Sequence, residues 1–358
     1  MTGYLDAQYR QLHKLGNQLL VVTPQSTALG EAMADTAFAL DVADYAELVG
    51  WKTAPEPAEL VDVIRAFDPD AVLMTSWNYC KAYRAVMRSL PPSVVRILIM
   101  DNLWRAAPRQ WVGRATHRWY VRPVADAAMV PSDRSEFYAR RLGFATADVI
   151  RGSLSADVEL FGSPPRSAEE LGSRRSFLYA GRLVTHKGAD ILAAAYSAYR
   201  DLSDDPWQLH VVGMGPLESE FHGLAGVIVH GFLQPPQVAE LMRASSCLLL
   251  TSRIEPYGVV LHEAAAAGLP ILCSDFAGAA PGMVQDGYNG WIVPAGYIDS
   301  WARAMTRMSA LPPQRLAAMS DMSRAIAARL NPRGWALNLH EELDRRRAAG
   351  GGRLGASH

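Results

Sequence analysis

The sequence has few cysteines, no long apolar run and no excess of positive charge. Three cysteines are scattered among its 358 residues, which excludes a disulfide framework and indicates a reducing compartment. Neither they nor the nine histidines show metal-ligand spacing, so we expect no bound metal. A formal net charge of −1 argues against nucleic-acid binding. No apolar run reaches the roughly 20 residues that cross a bilayer and no signal peptide is visible, which predicts a cytoplasmic protein.

Short apolar runs alternate with longer helical patterns along the whole chain. Strands are predicted in the first half at 19–24, 38–42, 71–76, 96–101 and 127–132, and in the second half at 177–183, 207–213, 226–232, 247–252, 270–275 and 290–294. Continuous β-branched runs between helices are typical of parallel sheets covered on both faces. The fold class predicted is therefore α/β, with two doubly wound domains that face each other across a ligand-binding cleft.

The polar stretch 162–176 is interpreted as a linker between the two domains. The predicted domains are 1–165 and 166–335. Residues 336–358 are expected to form a helix that crosses back to the first domain, followed by a disordered tail.

Three segments of the second half follow predicted strands and carry polar or glycine residues. "GRLVTHKG" places Arg182 and Lys187 on one strand-to-helix loop, where two cations suit a diphosphate. The alternative is a solvated loop with ordinary surface charges. "VVGMGP" contains Gly213 and Gly215, which permit close approach of the backbone to a ligand, although a lone G-x-G is weak evidence.

The third segment, "RIEPYGVVLHEA", contains two glutamates around a Pro-Tyr-Gly break. The break predicts a helix whose first amides are free to bind an anion. Glu255 precedes this helix, and Glu263 lies about one and a half turns inside it. Because a buried carboxylate needs hydrogen bonds, a ribose diol is one partner for Glu263. A capping or salt-bridged glutamate is the alternative.

These motifs, with "VHGFL" and "DGYNGWIVP", resemble the carboxyl half of the retaining family 4 glycosyltransferases (glycosyl transferases group 1), which have the GT-B fold. The resemblance is close from about residue 177 to 305 and loose before that. It implies transfer of a sugar from a UDP- or GDP-linked donor to a glycan, lipid-linked or small-molecule acceptor, with no metal or other cofactor. The first domain would hold the acceptor.

By the same resemblance, Glu255 would contact the transferred sugar, and Arg182 and Lys187 would hold the diphosphate. These three, with Asp101 of the first half, are the catalytic candidates. Glu263 would bind the ribose. The remaining donor-binding candidates are Gly213, Gly215, His230, Gly231, Phe232, Tyr257, Gly258 and Val259. One departure is Gly282, which stands where many relatives carry a glutamate.

The first half resembles the family less. The chain opens on a predicted helix at 4–15, so the central first strand is expected to be missing and the start truncated or misassigned. Gly3 is either the remnant of a phosphate-facing loop or part of a frayed terminus. The acceptor-side candidates are Trp77, Asn78, Asp101 and Asn102. Asp101 would act as a base or orienting group, or it would cap the next helix, and we slightly favour the cap.

The segment 104–122 combines arginines with tryptophans and contains no acid. Arg114, Arg118 and Arg122 are four residues apart, which predicts one helical stripe, and Trp111 and Trp119 lie close to a common face. This composition suits peripheral contact with an anionic membrane on its inner face. The alternative is a solvated arginine face with the tryptophans packed inward.

Other function classes remain open on the same scaffold. A catalytically idle nucleotide-sugar-binding protein, a phosphorylase or an epimerase would share the donor motifs. A dinucleotide-dependent oxidoreductase is disfavoured because neither half shows G-x-G-x-x-G between a strand and a helix, with an acid downstream.

Overall fold

The computed structural model describes residues 2–24, 38, 40–75 and 80–354, with the side chains of the last helix as far as residue 348. The chain divides into two units, Met1–Leu154 together with Pro332–His358, and Ser155–Asn331. The dividing points differ from the predicted boundary at 165/166, because residues 155–165 belong to the second unit. Within the described residues, no helix is both long enough and apolar enough to cross a membrane.

The described residues of the first unit form six short parallel strands. They are β1 (Leu20–Pro24), β2 (Glu47–Trp51), β3 (Ala71–Thr75), β4 (Val95–Ile99), β5 (Ala127–Val130) and β6 (Val149–Arg151). Its helices are α1 (Gly3–Lys14), α2 (Pro57–Phe67), α3 (Lys81–Ser89), α4 (Pro108–Ala115), α5 (His117–Tyr120) and α6 (Asp133–Leu142), with the last helix of the chain. Apolar side chains on both faces of β4 and β5 form the core, because helices cover both faces.

The sheet of the first unit is in two parts. β1 pairs with β2, and β3, β4, β5 and β6 pair in that order. Within the described residues no strand joins β1 to β3. A cavity of about 280 Å³ lies there instead, lined by β1 and β3 and by apolar side chains of α1, α2 and α3. The sequence predicted that a central strand is missing, and among the described strands β1 and β3 do not pair with each other.

The second unit has one continuous parallel sheet of six strands, in the order β12-β11-β10-β7-β8-β9. The strands are β7 (Ser176–Ala180), β8 (Gln208–Val212), β9 (Val227–Gly231), β10 (Cys247–Leu250), β11 (Ile271–Ser274) and β12 (Gly290–Val293). The helices are α7 (Val158–Phe161), α8 (Ala168–Arg174), α9 (Ala189–Asp201), α10 (Pro235–Ala244), α11 (Val259–Ala266), α12 (Ala280–Met283), α13 (Ile298–Ser309) and α14 (Pro313–Ala327). The central strands β7 and β10 are buried on both faces, which explains their uninterrupted apolar sequence.

Several sequence-based assignments are wrong. Of the predicted strand 38–42, the described residues 38 and 40–42 are not in a strand, and the chain forms β2 at 47–51 instead, a half-exposed strand without a continuous apolar run. The three-residue strand β6 was missed. The predicted disordered tail is largely helical, since α15 (Pro332–Leu354) extends to residue 354 and packs against α1. Residues 355–358 lie outside the described part.

The predicted linker 162–176 is folded. Ser167 caps α8 and shares a reciprocal capping box with Glu170. Just before it, the buried Arg166 guanidinium donates to the carbonyls of Arg243 and Ser245 at the end of α10, and to those of Ala267 and Gly268 after α11. The arginine therefore satisfies orphan carbonyls at the ends of two helices, as a cation at a helix C-terminus does.

Candidate functional site

The candidate donor site is built on two loops of the second unit, at the carboxyl ends of adjacent strands. One follows β7 and runs from Gly181 to Gly188. The other follows β10 and leads into α11. Because parallel strands end at the same edge of a sheet, the two loops are neighbours.

Gly188 brings the two loops into backbone contact. Its φ of +70° is left-handed, and a Cβ at this position would overlap the carbonyl of Thr251 at the end of β10. The Thr251 hydroxyl donates back to the carbonyl of Gly188 at 2.9 Å. A glycine is therefore required here for two separate reasons, the backbone angle and the space.

Arg253 fixes the second loop to the first. Its guanidinium donates bidentately to Asp190 at 2.6 and 2.7 Å, and to the Thr185 carbonyl at 2.8 Å. The amides of Arg253 and Ile254 both donate to the His186 carbonyl at 3.0 Å. The hydrogen bonds from Arg253 hold the pKa of the Asp190 carboxyl below its usual value. Arg253 and Asp190 were missed in the sequence, because nothing local links residues 63 positions apart.

Lys187 and Glu255 form an ion pair between the two loops. The Nζ of Lys187 donates to Oε2 of Glu255 at 2.6 Å, and the Ser252 hydroxyl donates to the same oxygen at 3.2 Å. Glu255 is buried, and Lys187 keeps 19% of its side chain exposed. The sequence assigned the two residues separate ligands, whereas the structure brings them together. An ammonium has three donors, so two of them are left for another partner.

Arg182 lies on the same loop but is exposed. Its Nη2 is 3.4 Å from Nε2 of His186, and within the described chain it has no acidic partner. Burial and the neighbouring cations Arg182 and Lys187 lower the pKa of His186, so this ring is neutral near pH 7. An exposed guanidinium beside a half-buried ammonium concentrates positive charge at this edge of the sheet.

Helix α11 begins directly after this cluster. Gly258 precedes its first residue with a φ of +91°, and a Cβ there would meet the side chain of Glu255. The amides of Val259 and Val260 open the helix, and within the described part of the chain they have no acceptor. Tyr257 was a donor-binding candidate, but its side chain is buried, and burial raises its pKa to about 12. Its side chain therefore belongs to the core.

Glu263 lies in α11 and is partly buried. Its carboxylate has no hydrogen-bond or ion-pair partner among the described residues, so neither a capping nor a salt-bridged role is seen. Burial, and to a smaller extent the charge of Asp157, raise its pKa to about 7. The adjacent His262 differs: Ala156 donates its amide to Nδ1 at 2.9 Å, and Nε2 is 3.0 Å from the Ala327 carbonyl.

The glycine motif after β8 serves chain packing. Gly213 lies against the carbonyl of Gly181, and Gly215 lies against that of Leu183, so these two glycines allow the β7 and β8 loops to touch. The amide of Gly213 also donates to the carbonyl of Gly231 at the end of β9. The close approach expected towards a ligand is thus made towards neighbouring loops.

His230, predicted to lie near a nucleotide base, pairs with another histidine. Its Nε2 is 2.9 Å from Nδ1 of His210, and the two rings stack. His230 occupies an irregular position in the pairing of β8 with β9, next to Gly231. Burial lowers the pKa of both rings, so one neutral ring donates to the other. The partner His210 was not anticipated from the sequence.

The remaining candidates have mixed outcomes. Gly3 is the first residue of α1 and so lies in a helix rather than a loop. Asp101 does not cap the next helix, because α4 begins only at Pro108 and Gln110 organises the preceding loop by accepting from the amides of Arg105 and Ala107. Like Asp101, Asn102 follows β4. The acceptor-side candidates Trp77 and Asn78 lie outside the described residues.

Gly282 belongs to the short helix α12. It is exposed, and a Cβ at this position would meet nothing within 4 Å. A larger side chain would fit there, so the departure from the family pattern is not forced by packing.

The sequence and the fold of this chain are similar to those of known proteins. Residues 165–325 match the family model described as "Glycosyl transferases group 1". The chain is 28% identical over 258 residues to an exopolysaccharide phosphotransferase of Streptomyces coelicolor, covering 70% of this chain and 26% of that protein. It is 25% identical over 253 residues to the phosphatidyl-myo-inositol mannosyltransferase of Mycobacterium leprae, covering 69% of this chain and 64% of that protein. The chain therefore spans less than two thirds of the length of these relatives.

Among solved structures, the chain is similar to Anabaena HepE in complex with UDP and glucose. The TM-score is 0.68 at 17% sequence identity, and the match covers 92% of this chain and 100% of that chain. This likeness shows the fold, which is GT-B, with two Rossmann-like domains of parallel sheet and helices.

Proposed function

Because residues 165–325 form a domain of the glycosyl transferases group 1 family, we propose that this chain is a metal-independent glycosyltransferase. It moves a sugar from a nucleoside diphosphate to an acceptor hydroxyl. The proposed donor is UDP- or GDP-linked. UDP in the structurally similar HepE supports a nucleotide-sugar donor of this kind.

One observation carries the proposal. The carboxylate of Glu263 is partly buried, has no partner among the described residues, and follows a helix start with two open amides. Burying a carboxylate without hydrogen bonds is costly, so a ligand that donates to it stabilises the site. A ribose presents two adjacent hydroxyls for this purpose, and its diphosphate would lie against the α11 amides.

The cations would act on the leaving group. In the proposed step, the bond from the sugar anomeric carbon to the β-phosphate oxygen breaks, and its electron pair stays on that oxygen. Arg182, the two remaining donors of Lys187 and the α11 amides would stabilise the negative charge that develops there. Glu255, held by Lys187, would accept from hydroxyls of the transferred sugar.

Retention of configuration is part of the proposal. The acceptor oxygen would bond to the anomeric carbon on the face from which the nucleotide leaves, and its proton would pass to the departing phosphate oxygen. The acceptor would be a glycan, a lipid-linked or a small-molecule hydroxyl. A relative whose name specifies phosphatidyl-myo-inositol supports a lipid-linked acceptor, and contact with an anionic membrane is a separate proposal.

Thermal melting with UDP, GDP and NAD tests the donor site. We expect UDP or GDP, but not NAD, to raise the melting temperature of the wild type, and Glu263→Ala to remove that shift. Glu240→Ala, at an exposed position of α10, is the matched control and should keep it. Protection by NAD alone, or an unchanged shift in Glu263→Ala, would contradict the proposal. Binding without sugar transfer to any acceptor or to water would identify an idle binding protein.

A further inference from the structure

A cleft of about 880 Å³ lies in the first unit, between helices α4 and α5 on one side and α6 on the other. Five arginines line it, and only two carboxylates do. The arginines are Arg114, Arg118, Arg140, Arg141 and Arg151. Three positive charges therefore remain in excess within one concave surface, although the whole chain carries a net charge of −1. We refer to this surface as the arginine cleft.

Both carboxylates form ion pairs with the same arginine. Arg151 contacts Glu136 at 2.5 Å and Asp133 at 3.3 Å. Arg118 and Arg140 have no acidic partner within the described part of the chain. These two guanidiniums are therefore available to an external anion, and each presents a planar set of donors that suits phosphate oxygens.

His117 forms part of the wall of the same cleft. The side chain lines the cleft, is only 9% exposed and packs edge-on against Phe144. Its Nδ1 is buried and has no hydrogen-bond partner in the described structure. Burial and the nearby Arg122 lower its pKa, so the ring stays neutral and can place its one proton on either nitrogen.

Three large aromatic side chains on the helices that form the cleft are exposed: Phe137 lines the cleft, and Trp111 and Trp119 lie on α4 and α5. Trp119 is 73% exposed, Phe137 is 50% exposed and Trp111 is 46% exposed. The alternative interpretation, in which the tryptophans pack inward, is thus wrong for Trp119. The expected arginine stripe is also wrong, because Thr116 interrupts the helix between α4 and α5, and Arg122 is turned to Asp148. Phe137, Arg140 and Arg141 come from α6 and were not anticipated.

Aromatic and cationic groups are combined further on this surface. The Arg141 guanidinium lies 4.6 Å from the ring centre of Phe137, and that of Arg114 lies 5.7 Å from Trp111. Exposed tryptophans beside arginines match the boundary between lipid headgroups and acyl chains, where an indole is half in water and half in hydrocarbon. A small soluble phosphate would use the guanidiniums but would leave the aromatic rings in water.

We propose that the arginine cleft docks this protein on the surface of an anionic lipid bilayer, with a headgroup phosphate between Arg118 and Arg140 and with Trp119 in the interfacial layer. Charge complementarity and the exposed aromatic rim both favour this partner. The surface lies in the first unit, and its action does not depend on sugar transfer. An active transferase that ignores vesicles and an inactive protein that binds them are therefore distinguishable results.

Co-sedimentation with vesicles tests the proposal. The wild type should bind phosphatidylcholine vesicles containing phosphatidylglycerol, should not bind phosphatidylcholine alone, and should dissociate in concentrated salt. Arg118→Gln combined with Arg140→Gln should weaken binding about 30-fold, equivalent to about 1 kcal/mol for each arginine. Trp119→Ala should weaken binding even in low salt. Arg65→Gln combined with Arg88→Gln makes the same charge change at two exposed positions of the same unit and should bind like the wild type.

Several results would overturn the proposal. They are equal binding to neutral and anionic vesicles, no binding to either, equal losses in the cleft and control variants, and inorganic phosphate or RNA as the only ligand of the cleft. Melting temperatures of all variants should match that of the wild type, because every substituted side chain is exposed. If the cleft variant melts early, Arg118→Lys, which keeps the charge, should retain most of the binding.

Discussion

The sheets of the two units differ in continuity. In the second unit six strands pair without interruption, and β7 and β10 have neighbours on both sides. In the first unit the described strands form a pair and a group of four, with a cavity of about 280 Å³ between β1 and β3. Within the described residues, the facing edges of β1 and β3 therefore have no strand partner, although the Tyr83 hydroxyl donates to the Val22 carbonyl at 3.5 Å, whereas the inner edges of the second unit are paired. Since an unpaired strand edge loses ladder hydrogen bonds, we expect the second unit to be the more stable of the two.

A substitution in the ion pair between Lys187 and Glu255 should have the largest effect on the stability of the second unit. Lys187→Met leaves the buried Glu255 carboxylate without its cation, which typically costs about 3–5 kcal/mol. Chemical denaturation should show the second unit losing that stability, and turnover should also fall because the leaving group loses a cation. Adding Glu255→Gln should restore most of the stability but not the turnover. If the single variant is as stable as the wild type, the pair is not buried as described.

The pKa of Glu263 gives the second unit a pH dependence. A carboxyl with a pKa of about 7 when folded and about 4.5 when unfolded binds more protons in the folded state between those values. Stability of the free protein therefore falls as pH rises from about 4.5 to about 7, by roughly 1–3 kcal/mol. Glu263→Gln should abolish this fall, so that the variant is more stable than the wild type at pH 8 and similar at pH 4.

Urea denaturation at several pH values measures this effect, with Glu240→Gln as the control. A wild-type curve that is flat across this range, or that rises with pH in parallel with the variant, would show that Glu263 is normally ionised. A saturating nucleotide should raise the stability at pH 8 and so reduce the fall, because ribose hydroxyls that donate to Glu263 favour its charged form.

Hydrogen exchange compares the local stability of the two sheets without any substitution. Amides of β1 and β3 should exchange roughly tenfold faster or more than those of β7 and β10, because edge strands open locally at lower free energy than buried central strands. Mass spectrometry of peptides covering 20–24, 71–75, 176–180 and 247–250 measures this. Equal protection would mean that the divided sheet opens no more readily than the continuous one.

The strands were predicted correctly from the sequence where both of their faces are buried. Apolar runs such as 247–250 predicted central strands well, because a parallel strand with both faces covered is apolar throughout. β2 was missed because its side chains are mostly exposed, and Leu48 is 49% exposed. The segment 162–176 was taken for a linker from its composition, although the pattern from Ser167 to Glu170 is a capping box that was available in the sequence.

For the candidate site, the sequence predicted the types of residue but not which of them pair with each other. Cations, a glycine break and two acids predicted an anion site, and the structure places Lys187, Glu255 and the start of α11 together. The pairs Lys187–Glu255 and Arg253–Asp190 were not predictable, since they join positions 68 and 63 residues apart and depend on loop geometry. His210 was overlooked because it looked like one polar residue in a strand.

The contacts of residues 155–166 decide where the polypeptide could be cut. The Ala156 amide supplies a hydrogen bond to the buried His262 ring, the Ser163 hydroxyl donates to the Ala267 carbonyl, and Arg166 covers the same helix end. A fragment starting at the apparent linker would leave an imidazole nitrogen and several carbonyls without donors inside its core. An independently folding nucleotide-binding half should therefore be excised as Ser155–Asn331, and truncation by even a dozen residues at its front should yield a protein that is difficult to keep in solution.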